Sequence, residues 1–196
     1  MERESNIKRK TKETDIDLKL KLKEYGVPGV FNGSSGIGFL DHMLSALCVH
    51  GNMDIDLEMT GDLEVDAHHS TEDLGIVLGK AFSEAAGSKS GLMRYGVSFV
   101  PMDESLARTA LDISERPFLV FNAEFIGNKI GDLDTQLIKE FFRAFAFNAG
   151  ITLHMEVLYG ENDHHKAEAL FKSLARALAD AARINEGGCL SSKGTL

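Results

Sequence analysis

Two adjacent histidines, followed three residues later by a glutamate, occur twice in the chain. The first motif runs from His68 to Glu72 and the second from His164 to Glu168. On a helix, residues three and four positions apart are neighbours, so one turn can present two imidazoles and a carboxylate. Both groups are ligands for metal ions. One such motif is weak evidence, because polar helix starts often look similar, but two in matched contexts indicate metal binding.

Two further histidines extend the possible ligand set. His42 lies at the start of a predicted helix and His154 lies inside a predicted strand. Each of them alone would be a hydrogen-bonded core histidine. With the paired motifs, the chain offers enough donors for two sites of three histidines and one carboxylate. The candidate metal ligands are His42, His68, His69, Glu72, His154, His164, His165 and Glu168.

The residues leave open how these ligands divide between two ions. Adjacent helical residues point about 100° apart, so the two histidines of one motif need not bind the same ion. A symmetric division gives one ion His42, His69, Glu72 and His164, and the other ion His68, His154, His165 and Glu168. Some ligands could come from a neighbouring subunit. The ligand types leave zinc, iron, nickel and manganese open.

Hydrophobic periodicity indicates the elements that must position these residues. Apolar alternation predicts strands, and a stripe repeating every three to four residues predicts helices. The predicted strands cover residues 15–22, part of 27–36, 53–59, 94–100, 105–113, 117–125 and 151–158. The predicted helices cover residues 37–49, 66–86, 133–149 and 163–182. Residues 1–10 are predicted to be loose unless a partner orders them, and 185–196 to be a tail or loop.

The order of elements repeats, which indicates an internal duplication. Gly51 and Gly150 are 99 residues apart, as are Gly61 and Gly160, so the strands between them are equal in length. The two histidine motifs are 96 residues apart, which a short deletion before the second motif explains. We therefore predict an α+β fold with two similar halves, residues 1–90 and 91–196. Each half is expected to be a mostly antiparallel sheet covered on one face by two helices, the two forming one catalytic domain.

Composition excludes several other classes of protein. The chain has 196 residues, of which 43% are hydrophobic and 26% charged, as expected of a globular protein. Its net charge of −9 argues against general nucleic-acid binding. No apolar run is long enough to span a bilayer, and no hydrophobic signal segment begins the chain. The only two cysteines, Cys48 and Cys189, predict a reducing, cytoplasmic location without disulfides.

Further motifs lie along almost the whole chain. In the first half they are Arg9-Lys10-Thr11-Lys12-Glu13-Thr14, Gly36-Ile37-Gly38-Phe39-Leu40-Asp41-His42-Met43-Leu44 and His68-His69-Ser70-Thr71-Glu72-Asp73. In the second half they are Arg94-Tyr95-Gly96, Pro101-Met102-Asp103-Glu104, Leu153-His154, Asn162-Asp163-His164-His165, Glu168-Ala169, Phe171-Lys172 and Ser191-Ser192-Lys193-Gly194. Together these motifs resemble those of the imidazoleglycerol-phosphate dehydratase family of histidine biosynthesis. The resemblance implies a ribosomal S5 domain 2-like fold and two Mn²⁺ ions per active site. It also implies a homo-oligomer of 24 subunits with active sites between subunits.

The resemblance also implies roles for residues outside the two motifs. Glu13 matches the family's general acid/base, and Asp103 is a secondary candidate. Without the resemblance, Glu13 would be interpreted as an exposed surface glutamate. The family's phosphate-binding positions correspond to Arg94, Arg116, Lys172, Ser192 and Lys193, each of which alone would be a solvated surface residue. The chain departs from the family at Ser34-Ser35 and at Glu115, where glycine is usual and a glutamate could alter the turn.

The implied reaction is the dehydration of D-erythro-imidazole glycerol phosphate to imidazole acetol phosphate. No carbonyl group acidifies the proton that must be lost. Two metal ions on the ring nitrogens would favour an imidazolate, which can expel hydroxide and leave a diazafulvene that acidifies the neighbouring proton. One alternative is a binuclear metal hydrolase, with ions about 3.5–4 Å apart. Another is a non-catalytic shell in which the histidines only hold subunits together, with no small phosphorylated substrate.

Overall fold

The first half of the chain forms one sheet and two helices. The computed structural model describes residues 3–188 and 190–191. The strands are β1 (Glu4–Lys10), β2 (Thr14–Leu22), β3 (Phe31–Ser34) and β4 (Met53–Gly61), and the helices are α1 (Gly38–Gly51) and α2 (His68–Ala86). The sheet order is β1-β2-β4-β3, with only β3 parallel to its neighbour.

The second half repeats this arrangement. Its strands are β5 (Tyr95–Met102), β6 (Ser105–Ile113), β7 (Phe118–Asn122) and β10 (Ile151–Tyr159), and its helices are α3 (Gln136–Ala149) and α4 (Asp163–Ala181). The sheet order is β5-β6-β10-β7, with only β7 parallel to its neighbour. A hairpin of β8 (Lys129–Ile130) and β9 (Leu133–Asp134) precedes α3. The repeated order confirms the predicted duplicated α+β fold.

The four helices lie between the two sheets and share one hydrophobic core. Helix α2 packs against α3, and α1 packs against α4. Glycines let α2 and α3 approach closely, since a Cβ at Gly75 would lie 2.7 Å from the Phe141 carbonyl oxygen. The helix starts, which carry the histidine motifs, are therefore held on a rigid middle layer.

Three sequence-based expectations need correction. Residues 4–10 are not loose, because β1 pairs with β2 along its whole length and Ile7 packs against the core. Their polar outward-facing residues conceal this strand in the sequence. Helix α3 begins at Gln136 rather than at residue 133, because Leu133–Asp134 pair with Lys129–Ile130.

The third correction concerns the register of the duplication. The left-handed residues that end α1 and α3 are Asn52 (φ 52°) and Gly150 (φ 69°), so Gly51 is not the counterpart of Gly150. An irregularity in β10 between Val157 and Tyr159 restores the match at Gly61 and Gly160. Both strands are nine residues long, so their lengths are equal, as the glycine spacing predicts.

The outer faces of the two sheets differ in character although they occupy equivalent positions. One row across the first sheet is Asn6, Lys19, Asp56 and Asn32, which are all polar. The corresponding row across the second sheet is Val97, Ala110, His154 and Val120. On the same face of the second sheet, Tyr95 and Phe99 are each 55% exposed. No helix of the described residues combines the length and apolar character needed to cross a membrane.

Candidate metal centre

His42, His164 and Glu168 converge where the starts of α1 and α4 meet. The Glu168 Oε2 atom lies 3.2 Å from His164 Nε2 and 3.6 Å from His42 Nε2. One ligand atom from each residue lies within 4.8 Å of the other two. Two imidazoles and a carboxylate at this spacing suit a divalent transition-metal ion. Among residues 3–188 and 190–191, this is the one such group found within the chain.

Local contacts position both helix starts. The Asn162 side-chain oxygen accepts hydrogen bonds from the backbone N–H groups of His164 and His165, which caps α4. The Asp132 carboxylate accepts hydrogen bonds from the first two backbone N–H groups of α1, Gly38 at 2.6 Å and Phe39 at 3.0 Å. The β8–β9 hairpin, which carries Asp132, therefore fixes the end of α1 that presents His42.

Glu168 is buried but ionised. Burial opposes its ionisation, but the hydrogen bond and charge of Lys172, together with the two histidines, outweigh that effect and lower the pKa of Glu168. Lys172 Nζ lies 2.5 Å from Glu168 Oε1, which leaves Oε2 facing the histidines. Lys172, the predicted phosphate ligand, is thus paired within the chain with the carboxylate of Glu168, a candidate metal ligand.

The second histidine of each motif lies between two carboxylates. His165 Nδ1 is 2.6 Å from Glu104 Oε2, and His165 Nε2 is 3.6 Å from Asp103 Oδ2. In the first half, His69 Nδ1 is 2.9 Å from Asp62 Oδ2, and His69 Nε2 is 3.8 Å from Glu13 Oε1. Hydrogen bonds that the two rings donate to Asp62 and Glu104 raise the pKa values of His69 and His165, and the other nearby carboxylates add to this effect.

The two acid/base candidates therefore lie in corresponding hairpins. Glu13 lies in the β1–β2 turn and Asp103 in the β5–β6 turn. Each carboxylate faces the Nε2 atom of the second histidine in its own half. This arrangement gives Glu13 an environment that its sequence position alone does not indicate.

The first histidine motif is less complete than the second. His68 Nε2 is 3.5 Å from Glu72 Oε2, and Arg143 Nη2 is 2.8 Å from Glu72 Oε1. Counting back from the equivalent helix ends at Asn52 and Gly150 places Glu140 where α1 has His42. Glu140 accepts a hydrogen bond from Arg143 and is no counterpart of the imidazole that His42 supplies to the second motif.

Within one chain, the structure groups the candidate ligands differently from the symmetric division. Glu168, and not Glu72, joins His42 and His164. The physical reason is that α1 packs against α4 rather than against α2, which brings His42 to the second motif.

His154 is not brought to either motif within the chain. It is exposed on β10, between Ala110 and Val120 of the neighbouring strands. Its neighbours in sequence, Leu153 and Met155, point into the helix-covered core. His154 therefore lies on the sheet face opposite to the helices that carry the other candidate ligands.

Comparisons with known proteins show the family to which the chain is similar. Residues 35–178 match the family model of imidazoleglycerol-phosphate dehydratase. The enzyme of that name from Clostridium novyi (strain NT) is 53% identical over 196 residues, covering 99% of this chain and 98% of the relative. The enzyme of that name from Acetivibrio thermocellus is 52% identical over 198 residues, covering all of both chains. A crystal structure of imidazoleglycerol-phosphate dehydratase from Staphylococcus aureus has a TM-score of 0.81 at 38% identity, covering 93% of this chain and 98% of that chain.

The chain belongs to the imidazoleglycerol-phosphate dehydratase family. It is therefore a lyase, more specifically a hydro-lyase, and its reaction is the dehydration step of histidine biosynthesis. The family depends on metal, and the cluster of His42, His164 and Glu168 provides suitable ligands. The predicted family, fold and enzyme class are confirmed.

The candidate phosphate ligands of this dehydratase family lie in a different part of the chain from the histidines. Arg94 is 7% exposed and pairs with Asp112 through two nitrogens, at 2.6 and 3.0 Å. Its third nitrogen donates to the Leu190 carbonyl oxygen. Arg116 Nη2 lies 3.5 Å from the same aspartate. Ser192 and Lys193 lie outside the described residues.

These two arginines are at the opposite end of the second sheet from Asp103. Arg94 precedes β5 and Asp103 follows it, so the length of the strand separates them by about 25 Å. Within one chain, the structure brings Lys172 to the histidine cluster but does not bring Arg94 or Arg116 there.

Sequence reasoning missed three residues that contact the candidate ligands, namely Asp62, Glu104 and Arg143. Glu104 adjoins the proposed Asp103, and Asp62 adjoins Gly61, one of the glycines of the internal repeat. Both residues could therefore have been identified as candidates from their neighbours in the sequence. Arg143 had none, because its contact with Glu72 depends on the packing of α2 against α3.

Proposed function

We propose that the chain dehydrates D-erythro-imidazole glycerol phosphate to imidazole acetol phosphate with two Mn²⁺ ions per active site. We also propose that the site is completed in a homo-oligomer of 24 subunits. One observation supports an active site that is shared between subunits. Three candidate ligands converge within the chain, whereas His154 lies on an exposed apolar sheet face. The free, buried thiol of Cys48 supports a reducing cytoplasm as its location.

A second copy of the chain is the proposed partner of the outer face of the second sheet. Val97 is 57% exposed there and Phe118 is 58% exposed. An apolar patch of this kind around a histidine is expected to be covered by another subunit. That contact would carry His154 toward the metal ligands of the neighbour.

The donor set suits the two ions. His42, His164 and Glu168 would hold one ion, with a further histidine from another chain, and His68, Glu72 and the second histidines remain for the other. When bound, the pair supplies Lewis-acid stabilisation of negative charge on the substrate's imidazole ring. Arg143 and Lys172 each hold the second oxygen of a ligand glutamate, which orients the free oxygen.

Glu13 is proposed to move the proton. Its carboxylate is about half exposed and lies 3.8 Å from His69 Nε2, so it can reach a substrate bound at the histidines. The carbon–oxygen bond breaks first, and Glu13 gives the departing hydroxide a proton so that it leaves as water. The Glu13 carboxylate then takes the proton from the neighbouring carbon, and the resulting enol becomes the ketone. Asp103, which is 71% exposed, is the second candidate for proton transfer.

The phosphate group is proposed to bind cations from more than one chain. Arg94 and Arg116 share Asp112, which orders two guanidinium groups near the start of the tail. Ser192 and Lys193 of that tail would complete the site, and Lys172 would approach the phosphate from the histidine side. A locally basic site of this kind is needed in a chain whose net charge is −9.

The decisive variant is Glu13→Gln, assayed with manganese and saturating substrate. Turnover is expected to fall by about 10²–10⁴-fold because glutamine cannot accept the proton. Metal content and particle mass should stay the same, since Glu13 is not a proposed ligand. Glu64→Gln, a change at another exposed glutamate, is the matched control and should keep full turnover.

Three results would contradict parts of this proposal. Failure of the unaltered chain to form imidazole acetol phosphate would reject the substrate. A near-normal rate for Glu13→Gln would transfer the acid/base role to Asp103. Loss of metal from that variant would make Glu13 a ligand.

A further inference from the structure

We propose that Asp62 and Glu104 are positioning residues that set the tautomers of His69 and His165. In each pair the carboxylate accepts a hydrogen bond from Nδ1–H, so that Nε2 carries a lone pair directed at the metal. The inference rests on the metal-dependent function proposed above. It concerns two carboxylates that are themselves neither ligands nor acid/base groups.

The geometry of the two pairs supports this role. The Nδ1 atoms of His69 and His165 lie 2.9 and 2.6 Å from their carboxylate partners, within hydrogen-bond distance. An ionised carboxylate only accepts, so the proton must be on Nδ1. The Nε2 atom of a neutral ring then has no proton and can bind a metal. Carboxylates in this position also make the imidazole a better ligand.

The same contact is built from different positions in the two halves. Asp62 directly follows β4, and its counterpart after β10 is the exposed Glu161, whereas His165 Nδ1 is bonded to Glu104. Glu104 directly precedes β6, and its counterpart before β2 is Glu13, which faces Nε2 rather than Nδ1. The duplication alone therefore does not account for both pairs. A requirement for a fixed tautomer, common to both histidines, accounts for them.

Backbone groups hold the Glu104 carboxylate and the main chain of Asp62 in place. Glu104 Oε1 accepts hydrogen bonds from the backbone N–H groups of Glu161 at 3.1 Å and Asn162 at 2.8 Å. Asn162 in turn caps the helix that carries His165. The Asp62 backbone N–H donates to the Glu13 carbonyl oxygen at 3.0 Å, which ties it to the β1–β2 turn.

The first test measures manganese affinity of the metal-free full-length chain by competition with an indicator dye. Asp62→Asn and Glu104→Gln keep the side-chain shape but let an amide N–H point at Nδ1 and favour the wrong tautomer. Each is expected to weaken manganese binding by about 10–100-fold. The controls are Glu64→Gln, in the same loop as Asp62, and Glu161→Gln, at the counterpart position. An affinity within twofold of the unaltered chain for both test variants would overturn the proposal.

The second test needs no variant and therefore survives a folding failure. Long-range nitrogen–proton NMR of the metal-free chain, labelled with ¹⁵N in its histidine rings, reports the tautomer of each neutral ring. At a pH where the rings are neutral, His69 and His165 should carry the proton on Nδ1. A proton on Nε2, or rapid averaging between both nitrogens, would overturn the proposal. Neither test involves turnover, so failure of the proposed reaction would be recognised separately in the product assay.

Discussion

The two histidine motifs have nearly the same sequence and the same place in each half, but only one is nearly complete within the chain. The second motif gains His42 from α1, whereas α3 offers Glu140 at the counterpart position. Glu140 binds Arg143, which also holds Glu72. One helix position therefore separates a cluster of three candidate ligands from a motif that lacks the third ligand within the chain. Duplication supplied the scaffold, and divergence at facing helices made the two sites unequal.

The outer faces of the two sheets also differ between the halves. Asp56 on the first sheet and His154 on the second occupy matching positions. Asp56 accepts a hydrogen bond from Asn32 on a polar face, whereas His154 lies among apolar residues. The half that holds the more complete cluster thus also presents the surface better suited to a partner.

The largest expected effect is on metal binding, when alanine replaces the residue at the helix position that differs between the two motifs. His42→Ala removes one of three converging ligands and should weaken binding of one manganese ion by more than about 100-fold, beyond the usual effect of an indirect contact. Glu140→Ala at the counterpart position should leave the metal content unchanged, because Glu140 contacts Arg143 and no histidine. Metal analysis after equilibrium dialysis measures both. Equal losses would remove the distinction between the motifs.

A smaller but still large effect is expected on assembly. Val97→Glu places a charge in the apolar row of the second sheet, and burying an unpaired charge at an interface costs several kcal/mol. The particle should therefore shrink. Asn6→Glu, at the matching position of the first sheet, should change its mass much less. Size-exclusion chromatography with light scattering decides this. An unchanged mass for Val97→Glu would show that this face is not a subunit contact.

The smallest effect concerns the starts of the motif helices. Asp163, at the start of α4, accepts hydrogen bonds from the backbone N–H groups of Ile126 and Gly127 and pairs with Lys166. Burial opposes its ionisation, but Lys166 and the two N–H groups outweigh burial and lower the pKa of Asp163. The counterpart at the start of α2 is Ala67. Asp163→Ala should cost about 1–3 kcal/mol in free energy of unfolding at neutral pH.

The pH dependence of that loss has a definite sign. Because the pKa of Asp163 is lower in the folded chain, its stabilisation is fully present above its unfolded value, about 3.9. It is lost as the pH falls through the folded pKa. The stability difference between the unaltered chain and Asp163→Ala should therefore narrow below about pH 4. Urea denaturation at several pH values measures it, and a constant difference would exclude ionic stabilisation.

Local sequence patterns were sufficient to predict the helices and strands, but not to predict which residues contact the candidate metal ligands. The spacing of His164 and Glu168 correctly indicated a helix start, because it depends on one helical turn. The pairing of His42 with that motif could not be predicted, since it depends on which helices pack together. Glu115 shows how a departure from the family can be informative. It adopts φ 57°, a left-handed conformation in which glycine is favourable.

Strand β1 and the contacts of Arg94 are further features that depend on tertiary structure and could not be predicted from local sequence patterns. The polar residues of β1 alternate with partly buried ones, but its pairing with β2 is a tertiary property. Arg94 was predicted from family resemblance as a phosphate ligand, and its bidentate contact with Asp112 bridges positions 18 residues apart. No periodicity in the sequence indicates such a contact.

Mixing two inactive variants tests most directly whether the active site is shared between chains. Glu168→Ala removes the centre of the cluster, and His154→Ala removes the exposed histidine. Each variant alone should lack turnover. After metal removal, mixing in equal amounts and reassembly with manganese, turnover should recover to about one quarter of the unaltered level, since both intact contributions meet by chance in a quarter of sites. No recovery in particles shown to contain both variants, or full activity of His154→Ala alone, would contradict a site completed between subunits.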